Sequence, residues 1–179
     1  MATHEPSAGI DPGMRARGIC LKLLTARPRS RAELAEALRR KGIPEQVSES
    51  VLDRLGAVGL VDDAVFVETA VYSGHTYRGL GRRALTTELR RRGVPDGLAR
   101  EAVAAVQPED EEQRARELVR RKLRTSTVRD SSTLARRLAG MLARKGYSEG
   151  LALRVVRDEL GSCGWGGGIE PGDVEPSPD

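Results

Sequence analysis

The sequence predicts an all-α chain of three tandem three-helix repeats, and three observations carry that expectation. Apolar residues recur at helical spacing through nearly all of residues 14–160. Turn residues punctuate these runs regularly, at Pro28, Gly42-Ile43-Pro44, Gly56 and Gly59, Gly93-Val94-Pro95, Pro108 and Gly146. One pattern also occurs three times, centred on Gly42, Gly93 and Gly146, with 51 and 53 residues between copies. Leu34, Leu85 and Leu138 lie eight residues before these glycines, and Leu38, Leu89 and Leu142 four before. Lys41, Arg92 and Lys145 stand directly before them, and Ile43, Val94 and Tyr147 directly after. Five residues beyond the glycines come Val47, Leu98 and Leu151.

Each copy reads in order as a first helix, a leucine helix and a closing helix. The first helices are expected over residues 14–26 with Ile19, Leu23 and Leu24, residues 63–77 with Val67, Val71 and Tyr72, and residues 110–124 with Leu118, Val119 and Leu123. Asp62-Asp63 and the run Glu109 to Glu112 precede or open two of them, where carboxylates complement the positive end of a helix. Ser30 and Glu33 have the spacing of a capping box for the first leucine helix. Leucines at i and i+4 give each leucine helix one apolar stripe. The basic residue in its last turn suits the negative helix end, and the glycine supplies the left-handed residue that closes it. Pro44 and Pro95 then open the closing helices. The closing stripes are Val47, Val51, Leu52 and Leu55; Leu98, Ala102, Val103 and Val106; and Leu151, Val155, Val156 and Leu160.

The expected organisation is repeat one over 14–60, repeat two over 61–107 and repeat three over 108–160. Residues 1–13 and the acidic, Gly/Pro-rich residues 161–179 show no periodicity and are expected to be disordered, with Trp165 a solvated tail residue. A unit of about 50 residues buries little core alone, so copies must stack; an elongated, curved helical solenoid of right-handed type is expected.

Charge and composition narrow the function. The whole chain carries +4, both ends are acidic, and residues 14–160 hold about +10. A basic body implies an anionic partner, either nucleic acid or an acidic protein surface. No run of eighteen apolar residues exists to cross a membrane, and no apolar stretch follows the N-terminus as a secretory signal does. Cys20 and Cys163, with His4 and His75, are too few and too scattered for a disulfide scaffold or a structural zinc site. A soluble, cytoplasmic, cofactor-free protein is the expected class.

The motifs point away from catalysis. Gly79-Leu80-Gly81-Arg82-Arg83-Ala84 matches a dinucleotide-binding fingerprint, but that chemistry needs a strand before the loop, and here a helix precedes it. His4 falls in the irregular N-terminal segment and His75 near a helix end, so neither has the partners of a nucleophilic triad. Paired carboxylates sit at helix starts, where capping is the ordinary role.

Arginine clusters carry the functional signal, with 26 arginines against 4 lysines. Arginine suits bidentate contact to carboxylate and phosphate, although high-GC coding and a solvated helix face account for such clusters equally well. Arg82 and Arg83 begin the middle leucine helix, and Arg90, Arg91 and Arg92 end it. Arg39 and Arg40 take the matching place in copy one, while Arg136, Arg137, Arg144 and Lys145 take it in copy three. Arg120, Arg121, Lys122 and Arg124 crowd the preceding helix. Only five aromatic residues occur (Phe66, Tyr72, Tyr77, Tyr147 and Trp165), which disfavours recognition by base stacking and leaves phosphate contact open.

These residues resemble a known family. The three repeats, Asp62-Asp63-Ala64-Val65-Phe66-Val67-Glu68, Gly79 to Leu85, Glu88-Leu89-Arg90-Arg91-Arg92-Gly93-Val94, Leu142-Ala143-Arg144-Lys145-Gly146-Tyr147 and Arg29-Ser30-Arg31-Ala32-Glu33-Leu34 are together similar to RecX proteins, of actinobacterial type. The likeness covers about residues 14–160. It implies a non-enzymatic regulator that binds the RecA recombinase and its filament on single-stranded DNA. Such a protein lies in the filament groove, inhibits ATP hydrolysis and strand exchange, and acts in DNA repair and the SOS response as a cytoplasmic monomer. The family often has further basic residues where this chain has Ser73-Gly74-His75-Thr76. The arginines named above, with Lys145, are then the candidate contacts to RecA or to the phosphate backbone. Two other readings stand beside it: a DNA-binding regulator of helix-turn-helix type, which paired helices joined by a short glycine turn permit, and a repeat scaffold for another protein.

Overall fold

The computed structural model describes residues 11–128, 130–162 and 164, and these contain nine α-helices and no strand. They are α1 (Pro12–Ala26), α2 (Arg31–Arg40), α3 (Glu45–Ala57), α4 (Asp63–Thr76), α5 (Arg82–Arg91), α6 (Asp96–Ala104), α7 (Pro108–Arg124), α8 (Ser131–Arg144) and α9 (Glu149–Ser162). α1 begins inside the segment expected to be irregular, because Asp11 caps it by accepting a hydrogen bond from Met14 N and Pro12 fits the first turn. α9 likewise runs two residues into the expected tail. His4, Cys163 and Trp165, with the rest of residues 1–10 and 165–179, lie outside the described residues.

The local signals act as the sequence implies. Ser30 and Glu33 form the full capping box on α2. Asp62 accepts from the amides of Ala64 and Val65 at the start of α4. Gly42, Gly93 and Gly146 have φ of 72°, 74° and 84°, the left-handed conformation that closes α2, α5 and α8. In the first and third copies the residue after the glycine sends its amide back five residues, Ile43 to Leu38 O and Tyr147 to Leu142 O, completing the helix end.

The helices gather into two compact units. One takes in the described residues up to 67 together with 91–95, and the other 68–90 together with those from 96 onward. In the first, α1 and α2 pack on α3 around Leu34, Leu38, Val51, Leu52 and Leu55. The stripe expected on α1 packs against this core, and two small residues extend it. Ile19, Leu23 and Leu24 are only partly buried, while Ala16 and Cys20 are fully buried, their small side chains facing the core. In the second unit, α7 and α8 pack on α9 around Leu118, Val119, Leu138, Leu142, Val155 and Leu160. Glu159 of α9 is a buried carboxylate in this unit, held by Arg120 at 2.7 and 2.9 Å and by Arg116. Tyr72, expected on the apolar stripe of α4, is 61% exposed.

The same joint is built twice. In the first unit the start of α2 sits on the α5–α6 turn: Ser30 Oγ donates to Arg92 O at 2.6 Å, and the Arg31 amide donates to Asp63 Oδ1 at 2.8 Å. In the second, the start of α5 sits on the α8–α9 turn. The Gly81 amide donates to Lys145 O at 2.8 Å, and the Arg82 amide to Glu111 Oε1 at 2.8 Å. Gly93 and Gly146 face Ala32 and Ala84 so closely that no β-carbon fits, whereas Gly42 has open space there. A β-carbon on Gly81 would lie 2.8 Å from the carbonyl of Gly146. The Gly-x-Gly of the fingerprint-like loop is therefore a seat for a neighbouring turn.

Gly42→Ala should destabilise the protein by about 1–2 kcal/mol, the strain of a left-handed alanine alone. Gly146→Ala adds overlap with Ala84 and should cost clearly more. Urea denaturation of the two variants checks the order; equal costs would remove the packing role of Gly146.

Candidate functional site

The candidate arginines separate by what their side chains already hold. On α2, Arg39 forms a bidentate pair with Glu36 at 2.8 and 2.9 Å, and Arg40 approaches the same carboxylate at 3.6 Å; both remain exposed. The paired guanidiniums hold the Glu36 carboxyl below its ordinary value. On α5, Arg90 pairs with Asp96 at 2.8 Å. Arg83 and Arg91 are exposed with no ion pair among the described residues, while Arg82 is half-buried. On α8, Arg136, Arg137 and Arg144 are exposed. The cap carboxylate Asp130 is held below its ordinary value by hydrogen bonds from Thr133 and Ser132, and Arg136 adds its charge. Arg137 and Arg144, seven residues and two turns apart, share one side of α8.

Two candidates are engaged within the fold. Arg92 is half-buried: its Nε and Nη2 donate to Glu33 at 3.3 and 3.2 Å, and Nη2 also donates to Pro28 O at 3.2 Å. Its guanidinium carbon lies 4.3 Å from the centre of the Phe66 ring, within cation–π range. Lys145 is also half-buried and donates from Nζ to Arg78 O at 2.6 Å. Burial, then the charges of Arg121, Arg114 and Arg78, push the Lys145 ammonium below the ordinary lysine value. Arg120, in the cluster read from the sequence, is taken by Glu159.

The Arg83 amide donates to Gly146 O at 3.3 Å, so the start of α5 meets the end of α8, and the charged ends of these two helices lie together. Sequence reasoning missed Arg78 and Arg114 as members of this neighbourhood. Arg78 stands alone in a loop, and Arg114 lies among acidic residues, so neither forms a run. Among the described residues no cluster is suited to hold a metal ion, and no helix is long and apolar enough to cross a membrane.

The class is thus a tandem three-helix repeat protein whose accessible chemistry is arginine. Three family models match in order: the RecX first three-helix domain over residues 16–55, the second over 62–103 and the third over 109–156. The chain belongs to the RecX family. It is 58% identical over 146 residues to a regulatory protein RecX of Thermobifida fusca, covering 82% of this chain and 79% of that protein. It is 55% identical over 150 residues to one of Streptomyces coelicolor, covering 84% and 80%. Among solved structures, a RecX from Lactobacillus salivarius shares the fold with a TM-score of 0.72 at 19% identity, over 83% of this chain and 97% of that one. Another RecX structure matches with the same TM-score at 20% identity, over 89% and 83%.

Arg92→Ala should lower stability by about 2 kcal/mol, through lost charged hydrogen bonds and the lost ring contact. Arg91→Ala, one residue away and exposed, should stay within about 0.5 kcal/mol. Thermal melts of both variants test this, and equal effects would make Arg92 an ordinary surface residue.

Burial raises the Glu33 carboxyl pKa, but Arg27, Arg92 and the Ser30 amide outweigh it and hold the group down at about 2, from an ordinary 4.5. The charged form thus stabilises the fold fully above the unfolded value, and this contribution is lost as pH falls through the interval. Glu33→Gln should destabilise at pH 7 by roughly 1–3 kcal/mol. That deficit should shrink between pH 4.5 and 2, measured by denaturation at each pH.

Proposed function

We propose that this chain is a non-enzymatic regulator that binds the RecA recombinase and its filament on single-stranded DNA. Bound there, it inhibits ATP hydrolysis and strand exchange, modulating DNA repair and the SOS response. It acts as a monomer in the cytoplasm, without a cofactor. Membership of the RecX family and the close relatives called regulatory protein RecX support a regulatory role. The observation that carries the contact is the surplus arginine. Arg83, Arg91, Arg137 and Arg144 are exposed and hold no ion pair among the described residues. Exposed, unpaired guanidiniums are available to carboxylate or phosphate on a partner.

The test is titration of the purified protein into a RecA single-strand ATPase assay. The wild type should suppress hydrolysis. Reversal of Arg83, Arg91, Arg137 and Arg144 to glutamate should weaken inhibition by about tenfold or more, since each lost charged contact is worth roughly 1–2 kcal/mol. Unchanged inhibition by a folded variant would remove these residues from the contact. Tight, sequence-specific binding to duplex DNA alone would favour the helix-turn-helix regulator.

A further inference from the structure

The second compact unit carries an aromatic and cationic corner that the reading above does not use. Tyr72, on α4, and Tyr77, just past its end, are 61% and 72% exposed. Their rings meet edge to face with centroids 5.9 Å apart. Phe66 and Tyr147 are buried, so the described residues place their exposed rings together in this single pair. Solvent-exposed tyrosine pairs offer flat surface at little conformational cost, and every nucleobase has a face to stack on it.

Cations flank the pair through the backbone. The carbonyl of Thr76, the residue before Tyr77, accepts from Arg114 Nη2, and that of Arg78, the residue after, accepts from Lys145 Nζ at 2.6 Å. Arg78 and Arg114 also pair with Glu88 and Glu117. Arg121 and Lys145 hold no carboxylate among the described residues, and Arg114 Nε is buried without a partner. Arg114 and Arg121, seven residues and two turns apart, share one side of α7, so positive charge gathers near the tyrosine loop beside the carboxylates Glu88, Glu111 and Glu117. Burial first, and then these neighbouring charges, lower the pKa of Lys145. An anionic ligand relieves that repulsion, and a ligand that also carries flat rings matches the tyrosines.

We infer that this corner is a binding site for single-stranded nucleic acid, with a base stacked on the Tyr72–Tyr77 pair and adjoining phosphates held by Arg121 and Arg78. The inference rests on the reading above, which supplies a single strand as ligand, and it names where that strand touches this chain. It also revises the expectation drawn from aromatic scarcity: the rings are few, but two of them are exposed and adjacent.

Fluorescence anisotropy of the full chain, without RecA, tests it on a labelled oligothymidine and on an abasic strand of equal length. Tyr77→Ala should weaken oligothymidine binding about five- to a hundredfold and leave the abasic strand unaffected. Tyr77→Phe keeps the ring and should bind as the wild type does. Arg121→Glu should weaken both strands and lower the salt dependence by roughly one unit of slope. Circular dichroism melts check that each variant is folded. Wild-type affinity in Tyr77→Ala, or an equal loss on both strands, overturns the site. If Tyr77→Ala keeps strand binding but loses RecA inhibition, the tyrosines face a protein, which overturns the site while the proposed function stands. If the wild type fails to inhibit RecA yet binds naked strands through Tyr77, the regulatory reading falls and the site survives.

Discussion

The first amides of a helix have no partner within the helix, and in α2 and α5 the first of them is met by the following copy. The Arg31 amide goes to Asp63 and the Arg82 amide to Glu111, each at the opening of the next copy's first helix. The same helix starts rest on the glycine turns at Gly93 and Gly146, where the absent β-carbon lets backbone meet backbone. One residue type thereby does two things: it closes its own helix in the left-handed conformation and leaves room for a neighbour. The ends of the series behave as this requires. Gly42 has open space, so only its conformation is needed, and α8 is capped by its own Asp130.

That joint also divides the charged residues into two kinds. Arg92 stands directly before a turn glycine, and its side chain is committed to Glu33, Pro28 and Phe66. Lys145 has the same position in the last copy and is committed to Arg78. Between α7 and α9, Arg116 and Arg120 are spent on Glu159, which compensates the burial of that carboxylate. What remains outward is a smaller set of arginines than the sequence suggests.

Much of the fold was legible because its determinants are local. The capping box at Ser30 and Glu33, the acidic starts and the three turn glycines depend on residues within about four positions of one another, and each appears where the spacing placed it. The stripe on α1 was legible in part: Ile19, Leu23 and Leu24 pack against the core from its margin, and the small residues Ala16 and Cys20, which apolar bulk does not single out, take the fully buried positions. Tyr72 is exposed, since helical spacing marks a face without saying that anything covers it. The candidate surface was legible as an excess of arginine but not as a set of free ones.

By itself the sequence determined the all-α class, the threefold repeat and the helix ends, since periodicity, capping and glycine conformation are short-range physics. The basic balance of the body, too, is written in composition. The tertiary structure decided which charges are used up and which rings come together. Arg92 and Glu33 are 59 residues apart in the chain, and nothing in the spacing of either names the other. A side chain's electrostatic partner depends on where distant segments are folded, so the distinction between a structural arginine and an available one exists only in three dimensions.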